Sequence, residues 1–399
     1  MPLLTFELTG SILMMRILMF NYEFPPIGGG GGWVTYFLGK HFAAAGHEVR
    51  LITAQFRDLP RDEVVEGFHV HRVPALRRHR DICYVHEMLT YAISSSVYGL
   101  KIAKQFQPEI VQVFFGIPSG CGAYLLKAIC GFPYVVFMGG RDVPRPDPDP
   151  PYYRWLYRFL APAIRGLWKH AAAVVACSDG LRDLALRTEP HVAIQVIPDG
   201  LDLSRFTPVP RHPHPARVRI LGVGRLIPRK GFQFLLRALP QVLQHATSDF
   251  EVELVGDGPE RANLVALAGK LGVRHKIHFA GSVPYSELPQ KYRSADLFTL
   301  CSLAEGMPLV VLEAMGSGLP ILASCVEGLE ELVEVGTNGN LFPPGDVDAV
   351  AKSLIEMINN GERRVQMGEA STARVQKYDW KHIAQRYMEV YRRILTDIS

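Results

Sequence analysis

The chain has 399 residues, 48% of them hydrophobic and 21% charged, a globular mixture with apolar mass for two or three cores that excludes a largely disordered chain. Its 43 basic and 39 acidic side chains leave a net charge of +4, too balanced for bulk nucleic-acid binding, which needs a concentrated basic stripe. No uninterrupted apolar run reaches the roughly 18 residues of a spanning helix, and the six cysteines, without a CxxC pair, read as reduced packing thiols and not as a disulfide framework or zinc site.

Residues 1–13 hold no Lys or Arg, so the positive region of a secretory signal is missing; the natural start is expected at Met14 or Met15, with 1–13 a poorly ordered extension. Short β-branched runs then alternate with helix-length segments, the pattern of βα units on parallel sheets. Strands are predicted at 16–21, 48–53, 69–73, 110–114, 134–138, 172–176 and 194–197, and in a second series at 219–223, 252–255, 276–279, 297–300 and 320–323. Between the series, residues 207–215 contain four prolines, which resist helix and sheet and mark a linker. The expected domains are 14–210 and 217–379, followed by a helix over 380–399 that packs back toward the first domain; its apolar residues 383, 387, 390, 391 and 394 have helical spacing. Many strands end in glycine, at Gly139 and Gly140, Gly224, Gly256 and Gly258. Such carboxyl ends are where open α/β sheets bind ligands.

The run Gly28–Gly32 follows the first strand and precedes a helix-like stretch from Trp33 to Ala45. Bare amides beside a helix N-terminus seat phosphate well, although a flexible turn has the same spelling and the dinucleotide fingerprint is matched trivially here. Glu305 and Glu313 form a second feature. A helix starting at Pro308 leaves Glu305 in the preceding loop, and eight residues of helix span about 12 Å, a distance from which one carboxylate could hold each end of a nucleotide sugar. Arg225 and Lys230 stand between a strand and a helix, where a cation pair can neutralise a leaving diphosphate.

Pro25–Pro26 with the glycines, Gly46–Val49, Val196–Asp202, Gly222–Arg225 with Lys230 and Gly231, Val255–Pro259, Glu305 to Gly318 and Leu341–Asp346 stand in one order over nearly the whole chain. In this ordered set the chain resembles glycosyltransferase family 4, retaining enzymes of the α/β GT-B fold, with two facing Rossmann-like domains of parallel sheets and a cleft between them. The resemblance implies that Gly29 and Gly30 approach the donor diphosphate and that Arg225 and Lys230 stabilise the leaving phosphate. It further implies that Glu305 lies near the donor sugar, that Glu313 binds the ribose hydroxyls, and that Gly224, Gly256, Gly258, Gly306, Met307, Leu309 and Val310 complete the donor site. Pro308 has no N–H, so Met307, Leu309 and Val310 are the amide donors there.

Two departures stand out. Many relatives carry a histidine where this chain has Gly139; Asp142 remains where the family's aspartate falls and is expected among the catalytic residues with Arg225, Lys230 and Glu305, with Arg141 beside it. The turn Pro198-Asp199-Gly200 replaces Pro-Asn-Gly, a change a turn tolerates. Asp147 and Asp149 spell the DxD of metal-dependent transferases but sit in a proline-stiffened loop, and Asp346 of the Asp346–Asp348 pair reads as a helix N-cap; no catalytic metal is expected. Residues 152–169 are aromatic, basic and free of acid. On an unbroken helix Arg154, Arg158, Arg165 and Lys169 share a face suited to anionic lipid or a phosphate-bearing acceptor, but Pro162 is expected to break that helix.

The expected protein is a cytoplasmic, metal-independent retaining glycosyltransferase of polysaccharide biosynthesis, with peripheral contact at the inner face of the membrane through 152–169. It takes a hexose-type sugar from a UDP- or GDP-linked donor, with no other cofactor, to a glycan, lipid-linked or small-molecule acceptor. The alternatives are a GT-B nucleotide-sugar epimerase, a dehydrogenase that would use Glu48 at a ribose, and a non-catalytic sugar-nucleotide-binding subunit.

Overall fold

The computed structural model describes residues 14–80, 83–140, 142–145 and 151–398, without the side chains of 151–154; the readings of 1–13, Arg141, Asp147, Asp149 and the Arg154 side chain lie outside the described residues. The chain falls into two compact units, one running to Val135 and taking in the chain from Ile394, the other Val136–Arg393.

The first series of elements is β1 (Arg16–Phe20), α1 (Gly30–Ala44), β2 (Glu48–Ala54), β3 (Asp62–Val65), β4 (Phe68–Val73), α2 (Val85–Phe106), β5 (Ile110–Phe114), α3 (Gly120–Cys130), β6 (Tyr134–Met138), α4 (Pro151–His170), β7 (Ala173–Ala176), α5 (Asp179–Leu186) and β8 (Ile194–Val196). Their strands run in the order β3-β4-β2-β1-β5-β6-β7-β8. Parallel strands covered on both faces read as continuous apolar runs, and β5 and β6 are buried at every residue. β3, antiparallel to β4, has no such run. It is half-exposed and escapes periodicity, but the two-residue turn that joins it to β4, Glu66-Gly67, has φ of 47° and 87°, the conformation that matches hairpin twist.

The second series is β9 (Val218–Val223), α6 (Phe232–His245), β10 (Phe250–Val255), α7 (Arg261–Lys270), β11 (Ile277–Gly281), α8 (Leu288–Ser294), β12 (Leu297–Leu300), α9 (Leu309–Gly316), β13 (Ile321–Ser324), α10 (Leu329–Leu332), β14 (Gly339–Phe342), α11 (Val347–Asn359), α12 (Gly361–Val375) and α13 (Trp380–Ile398). The sheet order is β11-β10-β9-β12-β13-β14, with parallel pairing throughout. Phe232, Leu235, Leu236, Leu239 and Val242 of α6 pack with Ile220, Val252 and Leu254 of the sheet in one buried core. Chain order reverses between β9 and β12, so the loops after these two strands diverge and leave a crevice at their carboxyl ends.

The expected strands agree with observed ones to within two residues at each end; β3 and β14 were not foreseen. Two readings are corrected. The helix expected from Pro308 begins at Leu309, with Pro308 as its N-cap in an extended conformation. Pro162 does not break α4, which continues through it to His170. Pro162 and Arg158 are exposed, so water can serve the Arg158 carbonyl that has lost its helical donor. As expected, Asp346 caps α11 by accepting from the Ala349 amide at 2.9 Å.

In α13, Ile383, Tyr387, Val390 and Tyr391 are buried, as their spacing implied. The start of this helix is fixed on the Asp199 turn: the Leu201 amide donates to the Tyr378 carbonyl at 2.7 Å, and a Cβ on Gly200 would lie 2.5 Å from the Trp380 ring.

Candidate active site

The loop after β9 carries both predicted cations. The Leu226 amide bonds the Asp257 carbonyl at 2.9 Å, which ties this loop to the one after β10. Gly256 and Gly258 make that approach possible, since a Cβ would stand 2.0 Å from the Gly224 carbonyl oxygen at one and 2.4 Å from that of Leu226 at the other. A single 3-10 turn, Pro228–Lys230, ends at Gly231 with φ 69°. A Cβ on Gly231 would lie 1.7 Å from the Cys301 carbonyl oxygen. Glycine there lets the loop after β9 close on the loop after β12.

That closure brings Lys230 to Glu305. The ammonium lies 2.6 Å from Oε1 of the carboxylate, with 15% and 7% of the two side chains exposed, and the Ser302 hydroxyl donates to the same oxygen at 2.6 Å. Burial pushes the Glu305 carboxyl up, but Lys230, Arg229 and Ser302 outweigh it and hold it below its usual range. Burial, with Arg229 and Arg225 nearby, lowers the Lys230 ammonium, and Glu305 opposes that fall. The two predicted groups thus form one buried ion pair, with Arg225 half-buried on the same loop.

Glu313 is separate. It is buried in α9 and accepts from the Tyr292 hydroxyl at 2.7 Å; burial raises its carboxyl to about 7, while Tyr292, Arg205 and Tyr285 pull the other way. The α9 N-terminus has no side-chain cap, so the amides of Leu309 and Val310 open the helix and favour an anion in front of it.

Asp142 closes the turn after β6: its Oδ1 accepts from the amides of Gly139 and Gly140 at 3.1 and 2.9 Å. This turn packs backbone to backbone on Gly306, where a Cβ would lie 2.4 Å from the Gly139 carbonyl oxygen. Sequence reasoning missed Arg145. It is 4% exposed, and nothing in the pattern of its proline-rich loop marks it as buried. Its Nη2 donates to the Glu305 carbonyl at 2.9 Å and its Nη1 to Glu327 Oε2 at 3.0 Å.

The glycine turn belongs to the first unit. Gly29 faces open space, and its amide donates to Glu23 Oε2 at 3.1 Å, so an acidic side chain meets the amide that the sequence reserved for phosphate. Gly30 is exposed at the start of α1. Gly31, one residue on, has a packing reason, since a Cβ there would lie 1.9 Å from the Phe115 ring.

Comparison with known proteins then decides the family. The model of glycosyl transferases group 1 matches residues 211–374, and that of the glycosyl transferase 4-like domain matches residues 29–200. The chain belongs to glycosyltransferase family 4. This glycosyltransferase is 29% identical to an uncharacterised glycosyltransferase of Methanocaldococcus jannaschii over 95% of its own length and 98% of the relative's. It is 26% identical to a glycogen synthase of Mycobacterium tuberculosis over 94% of each chain. A GDP-mannose-dependent phosphatidylinositol monomannoside mannosyltransferase of Mycolicibacterium smegmatis is 31% identical over 50% of this chain and 56% of that one. Among solved structures, sucrose-phosphate synthase of Thermosynechococcus elongatus superposes with a TM-score of 0.82 at 21% identity, over 96% of this chain and 100% of that one. Anabaena HepE, in complex with UDP and glucose, gives 0.75 at 19% over 95% and 100%. These structural likenesses establish the GT-B fold of the glycosyltransferase. No described helix is long and apolar enough to cross a membrane.

Proposed function

We propose that this glycosyltransferase moves a hexose-type sugar, with retention of anomeric configuration, from a UDP- or GDP-linked donor to a glycan, lipid-linked or small-molecule acceptor. The reading is carried by the buried Lys230–Glu305 pair, 2.6 Å apart on the two loops that flank the reversal of strand order. Arg225 and Lys230 neutralise the departing diphosphate, fixed charge aimed where charge develops. Glu305, its carboxylate held by Lys230 and Ser302, orients the sugar, and Glu313 accepts from the ribose hydroxyls. The uncapped start of α9, with the amides of Met307, Leu309 and Val310, faces the phosphates. Asp142 contributes by shaping the turn in which Gly139 replaces the family's histidine, and Gly224, Gly256, Gly258 and Gly306 let backbones close around these groups. In the first unit, Gly30 presents its amide to a diphosphate, while the Gly29 amide is held by Glu23.

In the reaction the acceptor oxygen bonds the anomeric carbon on the face from which the nucleotide leaves. The carbon–oxygen bond to phosphate breaks with its electron pair staying on the diphosphate, and a phosphate oxygen takes the acceptor's proton. The cations supply the electrostatics, so turnover needs no metal ion. The UDP complexes of HepE and the GDP-mannose dependence in the mycobacterial relative's name support these two nucleotides as first candidates. We place the enzyme in the cytoplasm, in peripheral contact with the inner membrane face through 152–169; the contact itself is supported by the stacked rings of Trp155 and Phe159, 70% and 71% exposed. That contact rests on the rings more than on the cations, because Arg165 donates to the Thr188 carbonyl and Lys169 pairs with Glu189.

Release of nucleoside diphosphate from a panel of UDP- and GDP-sugars, with the product anomer read by NMR, tests the reading. Turnover of at least one donor with a retained anomer is expected. Turnover of none, or an inverted product, overturns it.

A further inference from the structure

Glu305 is held in two ways. Its carboxylate is fixed by Lys230 and Ser302. Its backbone is hemmed in at the next residue, where Gly306 lies against Gly139 and Gly140 on one side and against Gly328 on the other, a Cβ on Gly328 standing 1.8 Å from the Gly306 carbonyl oxygen. The Glu305 carbonyl itself receives one hydrogen bond from Arg145, 160 residues away.

We propose that Arg145 is a positioning residue for sugar transfer, clamping the peptide of Glu305 so that its carboxylate stays aimed at the donor. The inference rests on the function proposed above. One guanidinium reaches two acceptors on two loops, the Glu305 carbonyl after β12 and the Glu327 carboxylate after β13. A planar fork can serve both at once, whereas an ammonium is a point charge on a flexible stem. The Arg145 side chain is only 2% exposed and the Glu327 side chain 34%, so solvent can hydrate the carboxylate but not the guanidinium. Nε of Arg145 is buried with no hydrogen-bond partner among the described residues. The residue therefore carries a desolvation cost that packing alone does not require. What it secures is the main chain of the residue whose side chain meets Lys230. A displacement of about 1 Å at such a group costs on the order of 10²-fold in rate.

Arg145→Met, Arg145→Lys and Glu327→Gln are compared with the native protein in three measurements: kcat on the UDP- or GDP-sugar that the native protein turns over, affinity for UDP and GDP by calorimetry, and thermal stability. The clamp predicts a kcat about 10²-fold lower in Arg145→Met, with nucleotide affinity within about 2-fold of native. Arg145→Lys recovers part of the loss, and Glu327→Gln loses less than Arg145→Met. The deciding measurement adds Glu305→Gln. With the carboxylate gone, Arg145→Met costs little more, because residues acting as one unit are not additive. A structural role alone would multiply the two losses and lower nucleotide affinity together with stability. Multiplicative losses, or near-native kcat in Arg145→Met, overturn the inference while leaving the transferase reading intact. A native protein that turns over no donor overturns both. If Arg145→Met does not fold, Arg145→Lys takes its place in the same cycle.

Discussion

Single residues already divide the chemistry. Lys230 and Glu305 are paired in a nearly dry setting, so removing the cation has two consequences. Arg225→Ala and Lys230→Ala should each lower kcat about 10²–10³-fold, with a much smaller change in donor KM. Lys230→Ala should in addition lose about 3 kcal/mol of stability by stranding a buried carboxylate, measured by urea unfolding; near-native kcat in both variants would remove the leaving-group role. Glu313 behaves otherwise because burial keeps its proton on, up to about 7 against a usual 4.5. The folded protein thus binds a proton that the unfolded chain releases. The stability supplied by neutral Glu313 is complete below 4.5 and is lost as pH rises through about 7. Glu313→Gln, neutral throughout, should gain on the native protein between pH 5 and pH 8 by up to about 3 kcal/mol. On the proposed ribose role, in which the ionised carboxylate accepts from the hydroxyls, UDP or GDP affinity should rise with pH in the native protein and stay flat in the variant. A stability difference independent of pH would place Glu313 in contact with water.

Among elements, the loops after β9 and β12 decide whether the site exists. Gly231 has φ 69° and no room for a Cβ, whereas Gly272 has φ 71° and nothing within 4 Å. Gly272→Ala should therefore cost about 1 kcal/mol, the conformational penalty alone. Gly231→Ala should cost at least about 3 kcal/mol and lower kcat as Lys230 is pushed off Glu305. Equal costs would show that the Cys301 carbonyl gives way. Element boundaries were mostly legible because buried parallel strands spell unbroken apolar runs and glycines mark their ends. The exceptions are physical. β3 is an exposed edge strand with no core face to pattern it, and Pro162 stands at an exposed position of α4, where water is at hand for a backbone group left without its helical partner.

At the scale of the whole molecule, the described residues contain no group of three or more His, Cys, Asp or Glu placed to hold a metal ion, and the proposed leaving-group role is assigned to Arg225 and Lys230. Activity should survive EDTA; loss of turnover restored by manganese or magnesium would bring Asp147 and Asp149 back into the reaction. Composition and pattern carried the parallel-sheet class and most strand positions, because burial on two faces leaves local spelling, and they singled out the cations and carboxylates whose roles are proposed above. Tertiary structure alone decided which of these groups meet. Lys230 reaches Glu305 across 75 residues and Arg145 across 160, through approaches at Gly231, Gly306 and Gly328 in which a missing side chain lets two backbones touch. A glycine in the sequence marks where such an approach is possible, but its partner is set by the packing of distant loops, which no local periodicity records.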